Sequence, residues 1–292
     1  MRTSVTLMQK MSAQPIRARR ASTVGLAISA SLAGGCLLLT GCVLTASGRA
    51  DEARLSPHWT VDQGGIVRGD TSSRNIALIF TGGEHGEGTE HILDVLNHAG
   101  IKASFFVTGD YVAKGEYHPL LHRMVAEGHY LGPHSDSHPL YCTWENRSHT
   151  LVTEEFFRQD LQRNIADLRR FGALRDGRPV YFIPPYEWYN AEQARWARAM
   201  GVVLFNLTPG SGSNRDWIPE GQRGFVPSKV ILRDILAYER RDPHGLNGFL
   251  LLLHLGSQRA DKMHLQLSPL IDELSRRGYK FVRADELLPM TP

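Results

Sequence analysis

Seven short apolar runs, regularly separated by amphipathic stretches, limit what this chain can fold into more than any other feature. The runs cover 76–80, 103–107, 130–131, 180–183, 202–206, 249–254 and 279–282. They are β-branched or aromatic and are bounded by glycine, proline or asparagine, which predicts strands. Between them, 91–99, 120–127, 153–171, 191–200, 228–240 and 267–277 carry helical periodicity. Several of these end at a glycine (Gly100, Gly128, Gly172, Gly201, Gly278), the residue that most readily takes the left-handed C-terminal cap. Strands alternating with helices give an α/β fold with a parallel sheet and right-handed crossovers. Closed, the sheet is a seven-stranded relative of the TIM barrel; open, it is doubly wound, and periodicity does not choose between them. Either way, chemistry belongs at the C-terminal ends of the strands and in the loops just after them.

The first 41 residues read as an export signal. Arg2, Lys10, Arg17, Arg19 and Arg20 are followed by an apolar run from Val24 to Val43 with no charge until Arg49. The run closes with Leu39-Thr40-Gly41-Cys42, which resembles the site at which bacterial lipoprotein signal peptides are cut before an acylated cysteine. The expected organisation is therefore a signal peptide at 1–41, a tether at 42–70 with a short hairpin around Gly64-Gly65, and a folded unit at 71–292. Acylation at Cys42 would anchor the protein by burying methylenes at about 0.8 kcal/mol each; an uncleaved membrane span is the competing reading. Both place the rest of the chain outside the cytoplasm, on the periplasmic or cell-surface side. Val43 carries no inner-membrane retention signal, which favours the outer membrane. Oligomeric state leaves no trace in the sequence.

Charge excludes one function class. The formal balance is +3, but five of the 33 basic residues lie in the signal segment, so the remainder is slightly acidic. A nucleic-acid partner is not expected. With Cys42 lipidated, only Cys142 remains in the folded unit, so no internal disulfide is available there.

The unusual residues fall at strand ends. The first strand runs into Thr81-Gly82-Gly83-Glu84-His85-Gly86-Glu87-Gly88, the third into Pro133-His134-Ser135-Asp136-Ser137-His138, and the fourth into Pro184-Pro185-Tyr186-Glu187-Trp188-Tyr189-Asn190. The sixth ends at His254. Two imidazoles four residues apart can face one point, and neutral imidazole is a common zinc ligand. His134 and His138, with Asp136 between them, are the candidate metal ligands.

These segments together resemble the polysaccharide deacetylase family, carbohydrate esterase family 4, over roughly residues 75–288. Ala77-Leu78-Ile79-Phe80 with Gly83, and the stretch from Ile101 to Gly109, are similar to its first two strands. Gly132-Pro133-His134 through His138 resembles its metal-binding motif, Phe182 to Tyr186 its groove motif, and Leu251 to His254 its last motif. The resemblance implies a distorted seven-stranded (β/α) barrel, a divalent metal such as zinc on both histidines, the Tyr186 N–H on the oxyanion and His254 as general acid. It also implies hydrolysis of N- or O-linked acetyl groups on a carbohydrate.

The departures are concerted. Thr81 and Gly82 stand where the family carries two aspartates, Ile183 where its groove has an arginine, and Leu255 where an aspartate often follows the last histidine. One reading moves the lost carboxylate functions to Glu84, first choice for base or ligand, then to Asp136 and Glu187. Trp188, Tyr189 and Glu87 are the candidate substrate contacts, since aromatic rings stack on pyranose faces. Two alternatives remain: a non-catalytic carbohydrate-binding lipoprotein, and a metal-dependent amidase acting on a non-sugar C–N bond.

Overall fold

The computed structural model describes residues 55–290, so the signal segment and the lipidation candidate Cys42 lie outside the described residues. In chain order the strands are β1 (Thr60–Asp62), β2 (Gly65–Arg68), β3 (Asn75–Gly82), β4 (Ser104–Val107), β5 (Tyr130–Pro133), β6 (Val180–Phe182), β7 (Val202–Leu204), β8 (Phe249–His254) and β9 (Lys280–Val282). The main helices are α1 (Thr89–Ala99), α2 (His118–Ala126), α3 (Glu154–Arg170), α4 (Ala191–Ala199), α5 (Ser228–Arg241) and α6 (Leu267–Arg276). All seven expected strands and all six expected helices are present, with ends displaced by a few residues.

β3 lies at the centre of the wall, parallel to β4, β8 and β9. β9 does not form a separate final stave. It pairs with the start of β3, from Asn75 to Ala77, on the edge that β4 occupies higher up. β6 and β7 form a second parallel pair. The Tyr130 hydroxyl joins β5 to this pair by accepting the Tyr181 N–H at 2.8 Å. The other seam is filled by β2: Ile66 bridges Phe205, and the Thr208 hydroxyl donates to Val67 O at 2.6 Å while accepting the Leu250 N–H at 3.0 Å. The barrel is thus distorted, with ladders broken at two seams.

This seam corrects the expected tether at 42–70. β2 is buried along its whole length, Ile66 is inaccessible, and Arg68 pairs with Asp242 at 3.2 Å. The folded unit therefore starts before residue 71, and the predicted hairpin around Gly64-Gly65 is part of its wall.

The period-2 alternation of strands separates two cores. Ala77 and Ile79 of β3, Phe106 of β4, Tyr181 of β6 and Leu250 and Leu252 of β8 fill the barrel interior. Ile76, Leu78, Phe80, Phe105, Leu251 and Leu253 face outward under the helices. Continuing each inward series by one step reaches Thr81 on β3 and His254 on β8. Register puts these two residues side by side at the top of the barrel.

Candidate active site

A cavity of about 450 Å³ opens at this end, lined by Thr81, Gly82, Glu84, His134, His138, Tyr186, Glu187, Trp217 and His254, among others. The ends of β3, β4, β5, β6 and β8 converge there.

The His134–His138 loop is shaped by α3. Asp160, fully buried on that helix, accepts the N–H groups of Asp136 and Ser137 at 3.0 and 3.1 Å and the Ser137 hydroxyl at 2.6 Å. One turn on, Asn164 accepts the His134 N–H at 3.0 Å. The loop needs this anchorage because Ser135 and His138 both hold positive φ, 72° and 49°, which side-chain-bearing residues adopt at a cost. His134 Nδ1 lies 2.8 Å from Ile183 O, an acceptor, so the proton sits on Nδ1 and the Nε2 lone pair is free. Burial pushes His134 well below the ordinary imidazole range and His138 down to about 4. Both rings are neutral at neutral pH, the state in which they bind a metal.

His254 is set for the opposite task. Its Nδ1 is 2.6 Å from Asp216 Oδ1, and its backbone N–H donates to Oδ2 at 2.9 Å. Burial works against the imidazolium, but the Asp216 charge and hydrogen bond outweigh it and raise the pKa. Arg259, fully buried, holds the loop that carries Asp216: its Nη1 donates to Arg215 O and Ile218 O, on either side of Asp216-Trp217.

Glu187 follows Tyr186 in a tight turn in which both are left-handed, with φ of 51° and 59°. Its side chain is 8% exposed, Oε1 is 4.0 Å from His134 Nε2, and burial raises its pKa. Tyr186 lies across His138 with ring centroids 4.4 Å apart, and Trp144 and Trp188 continue an aromatic wall, stacked at 5.5 Å.

The other sequence candidates are dispersed. Glu84 reaches the rim but keeps 80% of its side chain in solvent and pairs with His85 at 4.0 Å, so it lacks the burial of a site carboxylate. Asp136 turns from the cavity to Arg163, 2.7 Å away. Tyr189 corrects its expected substrate role: it is fully buried and its hydroxyl donates to Asp62 O at 2.8 Å, tying the β1–β2 hairpin to the wall. Glu87 accepts the Ser257 N–H and pairs with Lys262, so it buttresses the loop after β8. Trp188 is anchored by its Nε1–H on Thr143 O at 3.2 Å, behind Trp144.

Beyond the sequence candidates, Asp216, Asp160 and Asn164 support the site. The signal for the latter two is a polar residue inside an apolar stripe, since they share the buried face of α3 with Phe157, Leu161 and Leu168. In the sequence, Asp216-Trp217 weakly resembles a motif of the polysaccharide deacetylase family.

The architecture has known counterparts. The polysaccharide deacetylase family matches residues 68–205. A chitooligosaccharide deacetylase of Bradyrhizobium is 43% identical over 226 residues, covering 73% of this chain and 90% of that protein. The chain belongs to the polysaccharide deacetylase family. A peptidoglycan-N-acetylglucosamine deacetylase of Bacillus cereus is 27% identical, covering 73% of this chain and 87% of its own length. At the level of fold alone, this chain is also similar to a family 4 pseudoenzyme from Bacillus anthracis. That match has a TM-score of 0.60 at 22% identity, over 78% of this chain and 70% of the other.

Deacetylases of this family depend on a divalent metal, and the donor chemistry fits one: two neutral imidazoles on a rigid loop beside a buried carboxylate. Among the described residues, no three His, Cys, Asp or Glu side chains are yet gathered tightly enough to hold an ion. The buried Thr81 hydroxyl has no hydrogen-bond partner among the described residues, which marks polar space for a ligand at the β3 end.

Proposed function

We propose that the protein hydrolyses acetyl groups from an N-acetylated carbohydrate, with zinc held by His134 and His138. The reading is carried by one arrangement: two neutral imidazoles in one cavity with a histidine whose pKa a buried aspartate raises. Zinc, when bound, supplies Lewis-acid polarisation of the acyl carbonyl and of water. Water forms the new C–O bond to the acyl carbon, and His254 donates a proton to the leaving amine as the C–N bond breaks. Of the two water protons, one restores His254 and the other passes to the freed amine, giving acetate and the protonated amino sugar. Asp216 fixes the His254 tautomer and stabilises the imidazolium. The Tyr186 N–H serves the oxyanion. Tyr186, Trp144 and Trp217 offer ring faces to a pyranose, which favours a sugar over a small non-sugar amide. The test is acetate release from N-acetylglucosamine oligomers and from peptidoglycan, with small cyclic amides alongside. Cleavage of only the amides would replace the deacetylase reading by the amidase one. Binding of oligomers without any acetate, at full zinc loading, would leave a carbohydrate-binding barrel.

We also propose export with acylation at Cys42, supported by the basic, apolar and small-residue order of the first 42 residues. Palmitate labelling in a bacterial host tests it: the label must be lost in Cys42→Ser.

A further inference from the structure

We infer that Glu187 is the third metal donor of this site, and that Leu255 excludes a donor side chain from the end of β3. The inference rests on the metal-dependent reading above and concerns which carboxylate completes it.

Position 82 has no room for a side chain. A Cβ on Gly82 would meet Leu255 Cδ1 at 2.6 Å and the Tyr111 ring at 3.1 Å, and both residues are fully buried. Its neighbour Thr81 brings a hydroxyl and no charge. β3, the central strand of the site, therefore contributes no carboxylate.

Of the other acids near the cavity, Asp110 lies in the lining but is exposed, and the rest are held or solvated. Asp216 is bound twice by His254, Asp136 is held by Arg163, and Glu84 is in solvent. Glu187 combines a buried side chain, a place in the cavity lining and a carboxylate that takes no hydrogen bond among the described residues. A desolvated carboxylate with no hydrogen-bond donor is a ready partner for a cation that enters the cavity. Its Oε1 is 4.0 Å from His134 Nε2, against roughly 3.3 Å between two donors of one tetrahedral zinc, so the carboxylate has only a fraction of an ångström to close on the ion. The turn that presents it is fixed from β7: Asn206 Nδ2 donates to Glu187 O at 2.7 Å. Two imidazoles and one carboxylate form a familiar zinc donor set.

The test measures zinc stoichiometry and affinity, by elemental analysis and chelator competition, on the full-length protein in detergent. Zinc-induced thermal stabilisation is followed in parallel. Wild type should bind one zinc, and His134→Ala should lose it. Glu187→Gln should weaken affinity at least a hundredfold and abolish the zinc-dependent rise in Tm. Wild-type affinity in Glu187→Gln, with binding still lost in His134→Ala, overturns this inference and leaves the site reading intact. Absence of zinc from the wild type overturns both. If Glu187→Gln does not fold, Glu187→Asp decides: its shorter reach must cost at least tenfold in affinity, and unchanged affinity overturns the assignment.

Discussion

Asp216 grips His254 at two points, its Oδ1 2.6 Å from the ring Nδ1 and its Oδ2 accepting the backbone N–H at 2.9 Å. One carboxylate therefore fixes the tautomer, the orientation and the charge of the imidazole at the barrel mouth. Asp216→Asn keeps the shape and removes the charge. Turnover should fall by about 10²–10⁴-fold with zinc content unchanged. Burial would then act on His254 without its opposing anion and lower its pKa. The alkaline limb of the kcat profile should consequently move to lower pH. A limb that stays in place would remove His254 as the acid.

The loop that presents His134 and His138 depends on Asp160, which accepts three hydrogen bonds from it. Asp160→Ala strands buried donors, each worth about 1–3 kcal/mol. Stability in urea should drop by several kcal/mol, and zinc affinity should fall by about 10–100-fold, as for other supports of metal ligands. Equal zinc affinity in a folded Asp160→Ala protein would show that the loop holds itself.

Gly82 and Leu255 share one space. Gly82→Ala should destabilise by about 1–3 kcal/mol through overpacking. In the Leu255→Ala background the same change should cost less, with a coupling of about 0.5–3 kcal/mol in a double-mutant cycle. Strict additivity would mean that the two side chains do not compete.

His129 provides a pH test away from the site. Burial first, then Lys102, lower its pKa to about 4 against the opposing charge of Glu127. Its ring is inaccessible, and Nδ1 accepts the Ala103 N–H at 3.1 Å. The unfolded chain, with an ordinary imidazole near 6.5, binds the proton first as pH falls. Stability from this group is thus full above about 6.5 and is lost progressively down to about 4, by at most roughly 3 kcal/mol. His129→Asn should flatten the stability profile across that window; an unchanged slope would assign the acid loss to other groups.

Much of the fold was legible because it rests on local pattern. Strands such as 76–80 and helices such as 191–200 announce themselves by period, and parity along β3 and β8 brings Thr81 and His254 to one rim. The two histidines of the third strand end were legible for the same reason, as polar residues directly after a buried run. Glu84 and Asp136 misled because spacing places a residue near the mouth without saying which way its side chain turns. Arg163, ten positions beyond the start of the helical pattern at Thr153, captures Asp136 only after α3 docks.

The sequence by itself determined the parallel α/β architecture and the rim at which His134, His138 and His254 gather, since these follow from alternation and chain order. Tertiary structure decided which acids count. Burial and pairing depend on neighbours distant in the chain: Asp216 lies 38 residues from the histidine it charges, and Leu255 lies across the sheet from the glycine whose side-chain space it fills. A carboxylate's role is set by its desolvation and its partners, and neither exists until the strands have met.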